Sequence, residues 1–461
     1  MAFIRIPIFL CATLCALLVG CGKSDAPAAA SAQKAPAKYD AEAFFTTTSY
    51  GLAGGDAWSH DDQDLLVHAD ETGIFNAYAI TAKGGEKQPL TSSSESTFAV
   101  SWFPNDRRVL IRADQGGNEL EHLYVRETSG EIRDLTPGEN VKAHFAGWSD
   151  DRESFYVITN ERDSRAFDLY RYSAKDYART LLFRNDEALD IAAVSPNGRY
   201  VAVIKPRTSA DSDIYLIDVQ AKSRKPKLIT KHQGNIEHSV YDFTQDSKQL
   251  VYSTDEHGEF RQAWTYDLAT EAKAPLLQAD WDVMFVTFSD SGRYRVSGTN
   301  EDARTVIRIF DQETGKDLTL AGLPPGDPAQ IRFSRDESKV ALLLTSDTSP
   351  ADVYTVDLKA GRSERLTHAL NPAINEDDLV PAQIVRYESF DGLEIPSILY
   401  QPKGASASNK VPALVWVHGG PGGQSRAGYS AMIQHLVNHG YAVLAANNRG
   451  SAVKKREDTH R

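Results

Sequence analysis

The sequence predicts an all-β, seven-bladed β-propeller followed by the beginning of an α/β domain. Two observations lead to this prediction. The middle of the chain contains seven repeats spaced by 44 to 49 residues, and one strand–turn–helix–strand unit follows the last repeat. The repeats account for most of the chain, so they decide the fold class.

Each repeat begins with an aromatic or apolar residue, a small or turn-forming residue and an Asp- or Asn-rich turn, and it continues into a β-rich run. The seven starts are Trp58, Trp102, Trp148, Val194, Phe243, Phe288 and Phe333. A second strand pair follows, so each unit has room for four short strands joined by tight turns. Four strands per repeat are typical of a propeller blade, and seven blades close a ring. A β-sandwich with coincidental spacing is the alternative, and seven near-regular repeats argue against it.

The segment after the last repeat has the pattern of a doubly wound sheet. Val411 to Val417 is nearly all apolar, as expected for a strand buried on both faces. Ser430 to Asn438 carries apolar residues at helical spacing, and Gly440 is suited to end that helix. Tyr441 to Ala446 is a second buried strand. Together these elements predict a βαβ unit.

A glycine-rich turn, His418-Gly419-Gly420-Pro421-Gly422-Gly423, follows the first of these strands. Many serine hydrolases of the α/β class build half of an oxyanion hole from such a turn. Its glycines let the backbone approach a substrate carbonyl and direct an N–H at it. The nucleophile of this fold lies further along the chain on a Gly-x-Ser-x-Gly turn, and the sequence contains no such motif.

The order of these motifs resembles the prolyl oligopeptidase family (S9) of serine peptidases. In that family a propeller precedes an α/β-hydrolase domain that opens with a Ser-Phe-Asp-Gly strand, matched here by residues 389–392. A His-Gly-Gly-Pro turn, a helix, a Gly-Tyr-Ala-Val-Leu strand and an Asn-x-Arg-Gly-Ser turn come next, and the last two match residues 440–444 and 447–451. The resemblance spans residues 44 to 451. Within the family, the His-Gly-Gly-Pro turn is similar to that of the acylaminoacyl-peptidase and dipeptidyl-peptidase 5-like branch.

The resemblance implies that a backbone N–H stabilises the oxyanion. Other branches place a Tyr near this turn, whereas this chain has His418, so the implied donor is the N–H of Gly420, with Gly419 as its neighbour. We interpret His418 and Pro421 as residues that shape the loop. Arg449 is interpreted as holding the turn after the second strand.

Dipeptidyl-peptidase IV relatives bind a free peptide N-terminus with paired glutamates, and this chain has no convincing match. Glu119 and Glu121 are weak candidates, as is Glu161 beside Arg162, and solvated loop charge is the alternative for all of them. The propeller is expected to limit access to short or unfolded peptides.

The sequence departs from the family pattern after Ser451. Relatives continue with a Gly-Tyr-Gly stretch, whereas residues 452–461 here contain neither Gly nor an aromatic residue. We interpret this end as a frameshift, a premature stop or a partial gene model. The hydrolase fragment, residues 371–461, is therefore expected to be incomplete. Its two apolar strands should have unpaired edges, while the propeller, residues 44–370, should fold by itself.

The N-terminus predicts an exported lipoprotein. Residues 1–20 are interpreted as a lipoprotein signal peptide, because Arg5 precedes a run of 13 uncharged residues, Ile8 to Gly20. Leu18-Val19-Gly20-Cys21 resembles a lipobox, which makes Cys21 the expected lipidation site; an ordinary secretory signal is the alternative. Residues 21–43 are interpreted as the lipidated cysteine and a flexible tether, since Ser24 to Ala37 is rich in Ala, Pro and Ser. Gly22 favours the periplasmic side of the outer membrane of a Gram-negative bacterium.

Composition and motifs narrow the function. The net charge of −13, from 50 basic and 63 acidic residues, argues against nucleic acid as a partner. No metal-ligand or cofactor motif is present, and we expect neither group. The favoured function of the parent is a serine peptidase that cuts short peptides through an acyl-enzyme, with contact to the membrane only through the lipid. We expect this chain to be inactive because it lacks nucleophile, acid and base. The alternative is a non-catalytic propeller lipoprotein that binds a partner and carries a vestigial hydrolase fragment.

Overall fold

Seven four-stranded antiparallel sheets follow one another along the chain and form the blades of the predicted propeller. The structure is a computed structural model that describes residues 36–392, 394–420 and 423–448. A short helix, α1 (Ala41–Phe45), precedes the first blade. An eighth sheet, formed by strands of the α/β segment, follows the last blade. The predicted fold class is confirmed.

Each blade consists of four consecutive strands. Blade 1 contains β1 (Tyr50–Leu52), β2 (Asp64–Ala69), β3 (Asn76–Thr81) and β4 (Lys87–Pro89). Blade 2 contains β5 (Thr97–Trp102), β6 (Val109–Ala113), β7 (His122–Arg126) and β8 (Ile132–Asp134). Blade 3 contains β9 (Ala143–Trp148), β10 (Ser154–Asp163), β11 (Ala166–Ser173) and β12 (Arg179–Phe183). Blade 4 contains β13 (Asp190–Val194), β14 (Tyr200–Thr208), β15 (Asp211–Asp218) and β16 (Lys227–Leu228).

The remaining three blades have the same order. Blade 5 contains β17 (His238–Phe243), β18 (Gln249–Thr254), β19 (Gln262–Asp267) and β20 (Lys273–Leu277). Blade 6 contains β21 (Val283–Phe288), β22 (Tyr294–Glu301), β23 (Arg304–Asp311) and β24 (Lys316–Asp317). Blade 7 contains β25 (Asp327–Phe333), β26 (Lys339–Thr345), β27 (Asp352–Asp357) and β28 (Arg362–Arg365).

The sequence repeat marks the turn between the first and second strands of each blade. In six blades a Ser or Thr hydroxyl in this turn accepts a hydrogen bond from the backbone N–H five residues later, at 2.8–3.1 Å. The hydroxyl groups belong to Ser59, Ser149, Ser195, Thr244, Ser289 and Ser334. In five of these turns the same hydroxyl donates to an Asp or Asn two residues on. The repeat is therefore a local hydrogen-bonded turn, which explains why it recurs with so little variation.

The ring closes without exchanging a strand, because blades 1 and 7 are each built from consecutive strands. Side chains join them instead. The Trp58 indole N–H donates to Arg332 O at 3.0 Å, and the Arg332 guanidinium donates to Gly54 O at 3.0 Å. On the outer side, Thr355 Oγ1 donates to Ala82 O at 3.0 Å. Apolar residues of blades 1, 2 and 7 share one core cluster around these contacts.

Four charged residues link blades across the central channel. Asp56 of blade 1 accepts from Arg152 of blade 3 and from Arg335 of blade 7, both at 2.6 Å. Arg152 also pairs with Asp290 of blade 6. Residues at and after the ends of the first strands of blades 1 and 3 to 7 line a cavity of about 430 Å³ at this mouth of the channel. Burial raises the pKa of the Asp56 carboxyl, and the two arginines oppose that shift. The carboxylate is thus the shared partner of two cations with little access to water.

The α/β segment forms a sheet with the order β29-β30-β32-β31. It contains a 3₁₀ turn (Glu376–Asp378), β29 (Gln383–Glu388), β30 (Glu394–Tyr400), β31 (Ala413–Val417), helix α2 (Ala431–Asn438) and β32 (Ala442–Ala446). β31 and β32 are parallel, as the predicted βαβ unit requires, and Ser430 caps α2 through its side chain. In the described part of the chain, no helix is long and apolar enough to cross a membrane.

The expectation that both apolar strands have unpaired edges is wrong for one of them. β32 lies between β30 and β31 and is mostly buried against α2, because the strand after the crossover inserts beside β30. β31 is the edge strand, and all five of its residues are exposed, including Val415 at 68%.

The predicted tether, residues 21–43, is structured at its end. Tyr39 N–H donates to Asn438 Oδ1 at 3.1 Å, and the Tyr39 hydroxyl donates to Asp378 at 2.6 Å. Asp40 caps α1, and Phe44 is fully buried with Ile374 and neighbours of α2. The predicted boundary between residues 43 and 44 therefore cuts through a helix that packs on the α/β segment. The composition of this segment did not predict the helix, because the helix is only about one turn long.

We expect Asp56→Asn to destabilise the propeller. The substitution leaves Arg152 and Arg335 largely buried without their shared anion, which should lower the free energy of unfolding by about 3 kcal/mol. Urea denaturation followed by tryptophan fluorescence measures this change. The control is Asp163→Asn, which removes the partner of the exposed Arg165 and should leave stability unchanged. Equal stability of the two variants would contradict the proposed role of Asp56.

Candidate active site

The glycine turn and the Asn-x-Arg-Gly-Ser turn begin at the same edge of the sheet. Val417, the last residue of β31, pairs with Ala446, the last residue of β32, so His418 and Asn447 leave the sheet side by side. Ligands of open α/β sheets bind at the carboxyl ends of parallel strands. The structure therefore brings the first residues of the two motifs together where a site is expected.

The glycine turn folds back on itself. His418 Nδ1 lies 2.8 Å from Gly419 O, and because a carbonyl only accepts, Nδ1 carries the proton. A Cβ added at Gly423 would lie 2.2 Å from Gly419 O, whereas a Cβ added at Gly419 would have no neighbour within 4 Å. Gly423 is thus required by close backbone contact. Gly419 and Gly420 are both exposed.

Asn447 fixes the segment that follows the glycine turn. This side chain is fully buried, accepts from Ser425 N–H at 2.6 Å and donates to Ser425 O at 3.1 Å. The two bonds tie the end of β32 to the loop. Asn447 was not among the predicted site residues, although a polar residue directly after a buried strand indicates a buried hydrogen-bonding partner.

The same loop is tied to blade 6. The side-chain amides of Gln424 and Asn300 exchange two hydrogen bonds of 2.9 Å, and Arg426 donates to Asn300 Oδ1 at 3.1 Å. Ala427 N–H donates to Ala303 O at 3.0 Å. The end of β22 and the turn that follows it therefore position the loop that carries the candidate oxyanion donors.

Gln434 of α2 connects the sheet to blade 7. This side chain is 1% exposed, accepts from Val380 N–H at 3.1 Å and donates to Val380 O and Asp347 O, both at 2.8 Å. Asp347 in turn binds Arg304 of blade 6 at 2.8 Å. Gln434 could not be found from the sequence, because a single glutamine on an apolar helix face forms no motif.

No described serine is poised as a nucleophile. Within the three described ranges, no serine hydroxyl is hydrogen-bonded to an imidazole nitrogen, and the buried Ser425 Oγ has no hydrogen-bonding partner. The ring centroids of His435 and His439 lie 4.3 Å apart with the ring planes tilted by 43°, and His439 Nδ1 contacts His435 O. Burial and the neighbouring His439 lower the pKa of His435. These contacts serve the helix end and do not form a triad.

The glutamates considered for binding a peptide N-terminus have other contacts. Glu121 is bound by Arg112 at 2.5 Å and 2.6 Å, and Glu161 pairs with Arg179. Arg162 binds Asp168 at 2.6 Å. Glu119 is exposed in a left-handed turn. Nothing in these contacts singles out a pair of carboxylates for a ligand.

Three predicted residues, Cys21, Pro421 and Arg449, lie outside the described ranges. In the part of the chain that the structure describes, no group of three or more His, Cys, Asp or Glu could hold a metal ion.

Gly423→Ala should displace the glycine turn. The added Cβ meets Gly419 O, and overpacking of this kind costs about 1–3 kcal/mol. Hydrogen–deuterium exchange of the peptide covering residues 413–430 should then become about tenfold faster. Gly419→Ala is the matched control and should leave exchange as in the wild type, because its Cβ points into open space. Similar exchange in both variants would show that the fold-back is not needed.

Comparisons with known proteins agree with this architecture. Residues 91–369, more than half of the chain, match the model of the prolyl oligopeptidase N-terminal β-propeller domain. Dipeptidyl aminopeptidase BIII of Pseudoxanthomonas mexicana is 28% identical over 85% of this chain and 58% of that protein. A prolyl endopeptidase of Elizabethkingia meningoseptica is 21% identical over 84% of this chain and 56% of that protein. The chain thus spans little more than half the length of these two relatives.

Solved structures show the same fold. A prolyl endopeptidase structure superposes with a TM-score of 0.71 at 18% identity, covering 90% of this chain and 64% of that chain. A puromycin-hydrolyzing peptidase of Mycobacterium tuberculosis superposes with a TM-score of 0.70 at 16% identity, covering 92% of this chain and 70% of that chain. With the seven blades, the βαβ unit and the matched propeller domain, this chain belongs to the prolyl oligopeptidase family.

Proposed function

We propose that this chain is the propeller and the first part of the catalytic domain of a serine peptidase that cuts short peptides. The observation that carries the proposal is the exposed Gly419-Gly420 turn at the carboxyl end of β31, beside the end of the parallel strand β32. A propeller that only binds a partner has no need for this strand–turn–helix arrangement. The names of the relatives, which are peptidases, support the same reaction class.

In this proposal the residues of the chain orient the substrate and stabilise charge. The Gly420 N–H, with Gly419 as its neighbour, binds the oxyanion that forms when a serine attacks the peptide carbonyl. Because backbone amides need no reorganisation at the moment of reaction, their position decides their effect. Asn447 and Asn300 hold the loop from two sides, one from the sheet and one from the propeller.

Substrate size in this proposal is limited by the propeller. The α/β segment contacts blades 6 and 7 at turns between their second and third strands, such as Ala303 and Asp347. At the other mouth, Arg152 reaches from blade 3 to Asp290 of blade 6 and narrows the channel. Short peptides fit such an enclosed site better than folded proteins.

The chain of 461 residues should not hydrolyse peptides, because nucleophile, acid and base are all absent from its motifs. A fluorophosphonate probe for active serines should leave it unlabelled. A longer protein, expressed together with the coding sequence that follows codon 461, should be labelled by the probe if that sequence encodes a Gly-x-Ser-x-Gly motif with later Asp and His. Specific labelling of a serine in the 461-residue chain would refute its inactivity. An extension without these motifs would favour the binding lipoprotein.

We further propose that Cys21 carries lipid and holds the protein at the periplasmic side of a bacterial membrane. Lipobox-like residues before Cys21 and the Ala/Pro/Ser-rich segment after it support this location. Cys21→Ser should abolish incorporation of labelled palmitate and move the protein to the soluble periplasmic fraction, since the acyl chains are its membrane contact. Cys15→Ser, in the apolar run, is the control and should remain labelled. Palmitate on the Cys21→Ser protein would contradict the assignment.

A further inference from the structure

Two buried histidines lie in the crossover that joins blade 4 to blade 5. The crossover, residues 229–238, runs from the end of β16 to the start of β17 and contains His232 and His238. Their side chains are 1% and 0% exposed, and their ring centroids are 5.0 Å apart. Two imidazoles this close in the interior cannot both be charged without strong repulsion.

The contacts of His232 indicate that its imidazole carries the positive charge of the pair. Its Nδ1 lies 2.8 Å from Thr230 O, and its Nε2 lies 2.9 Å from Asp211 Oδ1. A carbonyl and a carboxylate are both acceptors, so both ring nitrogens must carry a proton. Asp213 Oδ1, 3.6 Å from Nδ1, adds a second negative charge. His232 is therefore an imidazolium held between two carboxylates.

The contacts of His238 indicate that its imidazole is neutral. Its Nδ1 lies 2.9 Å from Ser212 O and must donate to that carbonyl. Its Nε2 has no hydrogen-bonding partner among the described residues, and Glu256 Oε2 lies 4.0 Å away. The backbone of the same residue is tied to blade 4, because Ser212 Oγ donates to His238 O at 2.6 Å and accepts from His238 N–H at 2.8 Å.

Polar and charged groups from several elements surround the pair, and His257 Nε2 also lies 4.0 Å from Glu256 Oε2. β15 supplies Asp211 and Asp213, β14 supplies Arg207, β18 supplies Tyr252, β20 supplies Lys273, and the loop after β18 supplies Glu256. Arg207 binds Asp213 and lies 3.7 Å from Asp211, so the two carboxylates are shared between Arg207 and His232. The site thus balances one imidazolium and one guanidinium against two carboxylates, and leaves no strong partner for a second imidazolium.

We infer that His232 and His238 form an acid-sensitive latch on the crossover between blades 4 and 5. The latch is closed when His232 is charged and His238 is neutral. A second proton, on His238, repels His232 and releases the crossover. This inference does not depend on the proposed peptidase function.

The pKa shifts of the two residues give the pH window. Burial lowers the pKa of His238, and the charge on His232 lowers it further, so its contribution to stability is lost as pH falls below the ordinary value of 6.5. Burial also opposes charge on His232, but the acceptors Thr230 O, Asp211 and Asp213 outweigh it and raise the pKa. Its contribution is present below 6.5 and is lost as pH rises through the raised pKa. The crossover is therefore held best at a pH between the lowered pKa of His238 and the raised pKa of His232, where His238 is neutral and His232 is charged.

Hydrogen–deuterium exchange of the full chain at pH 7.0 and pH 5.0 tests the latch, with rates corrected for the intrinsic effect of pH. Peptides covering residues 229–240 should lose protection by about tenfold at pH 5.0, while peptides of blade 7, whose four strands and connecting turns contain no histidine, should not. In His238→Gln, which cannot take up the second proton, this acid loss should disappear. His60→Gln, at an exposed turn of blade 1, is the matched control and should retain the acid-induced loss of protection in residues 229–240.

A second variant keeps the test decisive if His238→Gln fails to fold. Glu256 is about one third exposed and supplies the negative charge nearest to His238 Nε2, so Glu256→Gln should lower the pKa of His238 further and enlarge the acid loss. Three outcomes would overturn the latch: acid loss of equal size in all blades, acid loss that persists in His238→Gln, or a Glu256→Gln protein identical to the wild type.

Discussion

The closure between blades 1 and 7 is the contact on which the rest of the structure depends. A ring of four-stranded sheets holds its shape only if the last blade is joined to the first, and here no strand crosses between them. The joint consists of side chains: the Trp58 indole, the Arg332 and Arg335 guanidiniums and the Asp56 carboxylate. Each of these groups is partly or wholly removed from water, so each requires its partner.

The ring positions the α/β segment through its turns. Blades 6 and 7 present Ala303 and Asp347 on one face of the propeller, and these residues receive the loop after the glycine turn and helix α2. A shift of either blade would move the exposed amides of Gly419 and Gly420 relative to the propeller. Oxyanion stabilisation depends on fixed donors, and for this reason the polar contacts of Asn300, Gln434 and Asn447 matter as much as the glycines.

Several buried polar groups of the described residues lie where separate structural elements meet. Asp56, Gln434, Asn447 and the crossover histidines all lie at such junctions. The blades themselves are held by apolar clusters and backbone ladders, which tolerate many substitutions. A buried hydrogen bond or ion pair is less tolerant, because losing one partner leaves the other desolvated. The junctions are therefore the places where single substitutions should have the largest effects.

The sequence by itself determined the repeated blade and the βαβ unit. Both depend on local patterns. In the blades, the turn hydroxyl accepts from a backbone N–H only five residues later, as Ser59 does from Asp64. In the βαβ unit, the helical spacing of apolar residues predicts α2, and Ser430 caps it. The glycine turn was equally visible, since Gly423 is required by a contact with Gly419 four residues earlier. Only the tertiary structure decided the closure of Trp58 on Arg332, the packing of α1 on α2, the position of β32 inside its sheet and the charge on His232. The physical reason is that these features depend on which distant donors, acceptors and apolar surfaces share one desolvated place, and no local pattern records that.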